Sequence, residues 1–169
     1  MIRKPSDLGY SDEGFTLPPL NMHEQCVSVT APTTGFLFAV EAQTLQERQQ
    51  ARRDSIADRV KACADIVNAS NAPFLVWCNL NDESAALADA IPGAIEVRGS
   101  DTDEHKEKAI AGFLDGSIRV LVSKPKIVGL GLNFQHCADM AYVGLSDSYE
   151  QLYQSIRRCW RFGQTRPVN

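Results

Sequence analysis

The sequence predicts an α/β fold in three layers, a mainly parallel sheet with helices on both faces. Three observations predict it. Short apolar runs such as 73–79 (PFLVWCN) and 118–123 (IRVLVS) show no polar alternation, as expected of strands buried on both faces. Stretches with helical spacing separate these runs, and strand–helix–strand order implies parallel pairing through crossovers. Finally, 169 residues of ordinary composition, 44% hydrophobic and 22% charged, suffice for one well-filled core.

Residues 1–24 are rich in Pro, Gly, Ser and Asp and read as an irregular lead-in or linker, so the domain is expected to occupy 25–169. Residues 25–31 (QCVSVTA) alternate as a strand does, whereas 35–42 (GFLFAVEA) are too short to assign. A helical pattern starts at Thr44, which can form a capping box with Glu47, and Ile56, Val60, Cys63 and Val67 make its apolar stripe. Arg48, Arg52 and Arg53 on its polar face read as solvated. After the strand at 73–79, residues 81–91 read as a helix capped by Asn81 or Asp82. Residues 94–99 (AIEVRG) form a second strand, 101–116 a helix with acids in its first turn, 118–123 a third strand and 138–145 (ADMAYVGL) a fourth. In such a sheet ligands are met beyond the carboxyl ends of the strands, where Asn79, Arg98, Gly99, Ser123, Lys124, Ser146 and Asp147 fall.

Two stretches carry chemistry. In 149–164 (YEQLYQSIRRCWRFGQ), laid on a helix, Gln154, Arg158 and Arg161 fall within about 60° of one another, and Leu152, Ile156 and Cys159 lie opposite. One face is buried while the other presents two guanidiniums, with Tyr149, Tyr153 and Trp160 at the border. Ser148 and Gln151 offer a capping box, Gly163 a stop, and the few residues up to Asn169 leave no room for a closing strand. In 123–135 (SKPKIVGLGLNFQ), Gly129 and Gly131 permit close approach of backbone to a ligand. Ser123, Lys124 and Lys126 at that strand end can bind phosphates.

The totals exclude several classes. No run of about 18 apolar residues exists and the first residues lack the apolar block of a secretory signal, so a cytoplasmic protein without membrane contact is expected. Five scattered cysteines and three histidines show no ligand spacing, which argues against a metal site or a disulfide framework. The net charge of −4 speaks against a simple basic nucleic-acid binder. It hides an asymmetry: residues from Ser117 onward carry +4 and the first 116 carry −8.

Gln154-x-x-x-Arg158-x-x-Arg161 followed by Gly163-Gln164 resembles the last motif of superfamily-two helicases, in the version carried by Swi/Snf-type DNA translocases. Its wording is most similar to helicase-like proteins encoded by phages and prophages. The segment before it is similar to the preceding motif of that family, Ser-x-x-x-Ala-Gly-Gly-x-Gly-x-Asn-Leu: Gly129, Gly131 and Asn133 match, Ile127 and Val128 replace the small pair, and Pro125 interrupts the approach. The resemblance spans roughly 73–164 and implies a RecA-like second lobe of an ATP-dependent motor. Arg158 and Arg161 would be fingers reaching the phosphates of ATP; Gln154, Gly129, Gly131 and Asn133 would lie near the nucleotide; Ser123 and Lys124 would touch a DNA phosphate. Lys126, Asn79, Arg98 and Gly99 complete the nucleic-acid set by their place at the same edge. Arg157 stands where many members have a small residue, so the choice among three arginines stays open.

Equally informative, the chain contains neither a Gly-x-x-x-x-Gly-Lys-Ser/Thr loop nor an Asp-Glu-x-His-type acid pair. ATP and Mg2+ would therefore be held mainly by an N-terminal RecA-like lobe of the same parent protein, and this polypeptide alone is expected to be inactive. The resemblance also implies a piece of a longer motor, cut near its C-terminal end. The competing expectation is a non-catalytic α/β scaffold whose arginine helix docks an acidic partner protein.

Overall fold

The computed structural model describes residues 5–29, 44–128 and 131–169; the unassigned run 35–42 and Gly129 lie outside them. Its centre is a four-stranded, all-parallel sheet of β1 (Phe74–Trp77), β2 (Ala94–Val97), β3 (Val120–Ser123) and β4 (Asp139–Tyr142), in the order β2-β3-β1-β4. In register, Trp77 faces Ser123 on one side and Tyr142 on the other, and Val97 faces Ser123. All four carboxyl ends therefore finish level, and the loops that follow them share one edge of the sheet.

The strands are buried runs, as their composition requires. Alternate side chains of β1 and β3 enter opposite cores: Phe74, Val76, Val120 and Val122 pack with Val60, Val67, Leu87 and Ile91, while Leu75, Trp77 and Leu121 pack with Ala109, Phe113, Phe134 and Cys159. The first core is covered by α2 (Ile56–Asn68) and α3 (Asn81–Ala90), the second by α4 (Asp103–Asp115) and the chain around α6 (Tyr149–Ile156). This is the three-layer arrangement the sequence predicts.

Local chemistry sets the boundaries. Thr44 and Glu47 make both halves of their capping box at the start of α1 (Leu45–Asp54), a helix with no buried residue. The helical stretch expected from Thr44 is split at Ser55, whose hydroxyl donates to Ala51 O at 2.8 Å and competes with the ladder. Helix α3 corrects another expectation: Leu80 occupies the cap position, so neither Asn81 nor Asp82 caps, and the carboxylate of Glu83 accepts the Leu80 N–H at 2.9 Å. Thr102 caps α4 by accepting from His105 N, and Gly116 ends it at φ +83°, where a side chain would be strained. The strand-like segment at 25–31 forms no strand over its described part, 25–29.

The C-terminal tail does find room along the sheet. Asn169 N donates to Ala138 O and Met140 N to Asn169 O, both at 2.9 Å, so the last residues run beside β4. Leu20 bridges Val168 in parallel, and Asn21 N donates to Val168 O at 2.8 Å. The lead-in thereby lies outermost at that edge. Among the described residues no helix is long and apolar enough to cross a membrane.

The buried thiols give a direct check on this packing. Burial pushes Cys63 up to about 12 and Cys78 up to about 11, while Cys26 alone of the five is exposed. At pH 8 a thiol reagent such as Ellman's should titrate one cysteine rapidly in the native protein and five in denaturant. Two or more fast-reacting thiols would show that a core opens on the timescale of the assay.

Candidate functional site

The arginine-bearing stretch is not one continuous helix. Helix α6 starts as expected, with the Ser148 hydroxyl accepting from Gln151 N, but ends at Ile156. Beyond it the hydrogen bonds tighten: Arg158 N donates to Ser155 O and Cys159 N to Ile156 O, and the chain passes through turns to Gly163 at φ +92°. The buried side of the expected helix survives in part, since Ile156 and Cys159 are buried.

This turn is clamped from several directions. Arg158 O accepts from Phe134 N at 2.8 Å, and the Trp160 indole donates to Pro18 O at 2.8 Å. Gln164, almost fully buried, donates through Nε2 to Gln135 O at 2.8 Å and Cys137 O at 3.1 Å, and Gln135 donates to Phe162 O. The φ of +92° is what requires glycine at 163; a Cβ there would also lie 2.7 Å from Gln135 Nε2 and push that side-chain end off Phe162 O. Gln135 and Gln164 were not among the site residues expected from sequence; their role is to tie the glycine segment to the arginine turn.

The three arginines occupy different positions. Arg158 Nε donates to Gln154 O and Nη1 to Leu132 O, each at 3.0 Å, which fastens the turn to the residues after Gly131. Arg157 lies over the rings of Trp160 and Phe162, 5.3 and 5.9 Å from their centroids. The Arg161 carbonyl accepts from Gln164 N at 3.1 Å, but its guanidinium makes no hydrogen bond or ion pair among the described residues. All three line a concavity of about 420 Å³ together with Gly131 and Phe162. Burial first, and the charge of Arg161 second, lower the Arg158 guanidinium from its ordinary value. Like charges crowd here and, among the described residues, no carboxylate lines the space, which suits a polyanionic guest. The same lining does not fit a divalent cation.

Of the other nucleotide-facing expectations, Gln154 contributes its carbonyl to Arg158 while its amide donates to Glu150. Gly131 lines the concavity at φ +75°. Asn133 is exposed and its side-chain oxygen accepts from Gln135 N at 3.2 Å, so it shapes the loop from outside the concavity. At the strand ends, Lys124 is half-buried, Asn79 is half-buried, and Lys126 and Gly99 are exposed. Two residues are placed otherwise than expected. Ser123 is fully buried and its hydroxyl donates to Val97 O at 2.8 Å, because the last residue of β3 turns its side chain toward β2. The guanidinium of Arg98 is held by Glu96. Ser123 is thus a sheet fastener with no surface to offer a phosphate.

With this geometry in place, similarity to known proteins becomes informative. The family described as the helicase conserved C-terminal domain matches residues 55–163, more than half of the chain. The chain belongs to this family. No curated protein sequence is significantly similar to it. Among solved structures, this helicase C-terminal domain is similar to the C-terminal part of the Fun30 ATPase domain, at a TM-score of 0.58 and 17% identity over 66% of this chain and 39% of that one. It is also similar to the RNA helicase Prp28 of Chaetomium thermophilum bound to ADP (0.55, 20% identity, 63% and 28% of the two chains). A third likeness is to the C-terminal domain of the DEAD-box protein Dbp5 (0.55, 13% identity, 66% and 68%). The chain spans well under half the length of the first two, and at these identities the likeness establishes the fold.

One further cluster in this helicase domain was invisible in the sequence. Glu83 is 1% exposed, and its two oxygens accept from Asn79 N at 2.8 Å, Leu80 N at 2.9 Å and Arg59 Nη1 at 2.6 Å. Arg59 also donates to Val143 O, to Arg52 O and to Ser55 Oγ. Arg52 in turn pairs with Asp147 at 3.0 Å, just before the Ser148 cap of α6. The network joins the loop after β1 to the loop after β4, and so fixes where α6 begins.

Proposed function

We propose that this chain is the C-terminal motor lobe of an ATP-dependent DNA helicase or translocase of the Swi/Snf type. Its partner is an N-terminal RecA-like lobe of the same parent protein, which holds ATP and Mg2+. Arg161 is the side chain that meets the phosphates, Arg158 braces the Gly131 segment beside it, and Gly131 lets the backbone come close. Charge spreading over the transferred phosphoryl oxygens is met by a planar cation that stays charged at any working pH. Closing the cleft brings Arg161 to the nucleotide; hydrolysis releases it and resets the grip on DNA. That grip falls to Lys124, Lys126, Asn79 and Gly99, directed at phosphates and therefore salt-sensitive and largely indifferent to sequence.

The observation that carries this reading is the concavity of about 420 Å³ in which, among the described residues, no carboxylate takes part and the Arg161 guanidinium has no partner. Without a phosphate cradle or metal-binding acids, this polypeptide alone should release no phosphate above background; steady release abolished by Arg158→Ala would contradict the proposal. Co-expression with a Walker-containing lobe should give DNA-stimulated ATPase, and charge reversal at Arg161 should remove it with folding intact. If that substitution instead weakens a protein complex and ATP has no effect, the chain is a scaffold domain.

A further inference from the structure

The lead-in holds both residues that flank Arg161. The Trp160 indole donates to Pro18 O at 2.8 Å, and the ring of Phe15 meets that of Phe162 edge-on, with centroids 5.7 Å apart and planes at 69°. Further along, Val168 N donates to Pro19 O at 2.9 Å and Asn21 N to Val168 O at 2.8 Å, so the same segment is fastened to the tail beside β4. Residues 15–21 thus cross from the tail to the arginine turn as a strap. Phe15 and Pro18 lie outside residues 55–163, the stretch that matches the helicase family.

Arg161 has no means of aiming itself. Its guanidinium has no partner among the described residues, and a long side chain without one samples many rotamers. What the fold can fix is the direction in which the side chain leaves the backbone. Helix α6 ends at Ile156, so that direction depends on what holds residues 160–162. Gln135 secures the carbonyl of Phe162 from the glycine segment, while the side chains of Trp160 and Phe162 are both secured from the lead-in.

We propose that the lead-in is a positioning strap for Arg161. Pro18 and Phe15, acting through Trp160 and Phe162, hold the arginine turn in the orientation from which the guanidinium meets a phosphate. The proposal rests on the motor-lobe reading of Arg161 and adds that chain far from the arginine motif sets its aim. A displacement on the order of an ångström at a reacting centre costs about a hundredfold in rate. Freeing both anchors leaves only Gln135 and the backbone to resist such a shift.

The test is a double-mutant cycle in the reconstituted two-lobe motor, read as kcat and as KM for ATP. Trp160→Phe keeps a ring but removes the donor, and Phe15→Ala removes a ring that is already 52% exposed. Together they should lower kcat about tenfold to a hundredfold. KM for ATP should stay within about twofold, because lost aim is felt where charge develops in the transition state. In Arg161→Ala the same two substitutions should cost less than about twofold, since the strap then has nothing to aim. Phe15→Tyr, which keeps the ring, should retain the turnover of the unaltered chain. The Arg157 guanidinium also lies over the Trp160 and Phe162 rings, so the cycle is repeated in Arg157→Ala, where the loss should persist. Equal loss in the Arg161→Ala background, a loss that vanishes in Arg157→Ala, or no loss in the otherwise unaltered chain would each overturn the proposal. So would a loss of turnover that merely follows the unfolded fraction in thermal melts. Failure of the motor reading looks different: no ATPase from the unaltered chain on reconstitution. The cycle is then read on the 169-residue chain alone, as affinity for inorganic tripolyphosphate. The strap stands if the two substitutions weaken that binding about tenfold in the otherwise unaltered chain and not in Arg161→Ala; no binding, or equal weakening in both, overturns it as well.

Discussion

Arg161→Ala will lower the DNA-stimulated ATP turnover of the reconstituted two-lobe motor by about a thousandfold, the low end for removal of an arginine finger. The unfolding midpoint of the lobe will stay within about a degree. Both halves of this expectation come from one fact: the Arg161 guanidinium has no partner among the described residues, so truncating it breaks no side-chain contact seen there while removing from the concavity a cation that is free to meet a phosphate. Arg158→Ala is the informative contrast. Arg158 holds Leu132 O and Gln154 O, so its loss should cut turnover and also lower the midpoint, because two carbonyls lose their donors and the glycine segment loses its brace. Steady-state kinetics with thermal melts on both variants separates the roles. If Arg161→Ala retains more than about a tenth of the turnover, Arg161 is not the phosphate-facing residue, and the same assay on Arg157→Ala shows whether that neighbour has taken its place.

The sheet and its order of elements were legible because they rest on composition over whole runs. FLVW and VLVS are buried at every position, and only strands between two helical layers tolerate that. The arginine cluster was legible for a different reason. Its expected geometry assumed a helix through Gly163, and the helix stops at Ile156, yet Arg158 and Arg161 still share one concavity because buried Cys159 and the Gln135–Phe162 and Gln164–Gln135 bonds hold the turn in a comparable orientation. Periodicity read the sidedness in part, since Ile156 and Cys159 are buried but Leu152 is only half-buried, and it read the backbone wrongly. Ser123 was misread because a hydroxyl at a strand end looks the same in sequence whether it faces solvent or the next strand; only the register with Val97 decides. The Arg59–Glu83 pair left no local signal, since its members lie 24 positions apart on different helices and neither spacing nor composition marks them.

That pair supports the second large effect. Glu83→Ala should destabilise the domain by about 3–5 kcal/mol, the cost of breaking a buried ion pair from one side. It would leave the Asn79 and Leu80 N–H groups without an acceptor and Arg59, whose side chain is 19% exposed, facing a void beside Val143 O. At this length each kcal/mol moves the midpoint by about 2–4 °C, so a loss near 10 °C is expected and urea unfolding should show it with an unchanged slope. Gly144→Ala should approach the same loss by steric means: its Cβ would sit 2.6 Å from Glu83 Oε2 and 2.9 Å from Oε1, and a carboxylate held by three donors cannot step aside as a free side chain would. Glu83→Gln keeps the shape and one acceptor and should lose less than Glu83→Ala. An apolar pair at both positions, Arg59→Met with Glu83→Leu, should recover part of the loss because no buried charge is then left alone. If Glu83→Ala costs under about 1 kcal/mol, water reaches the pair and the two strand-end loops are held by something else. If the cost is as large as expected but the double substitution recovers nothing, it lies in the orphaned N–H groups of Asn79 and Leu80, and the carboxylate serves chiefly as the cap of α3.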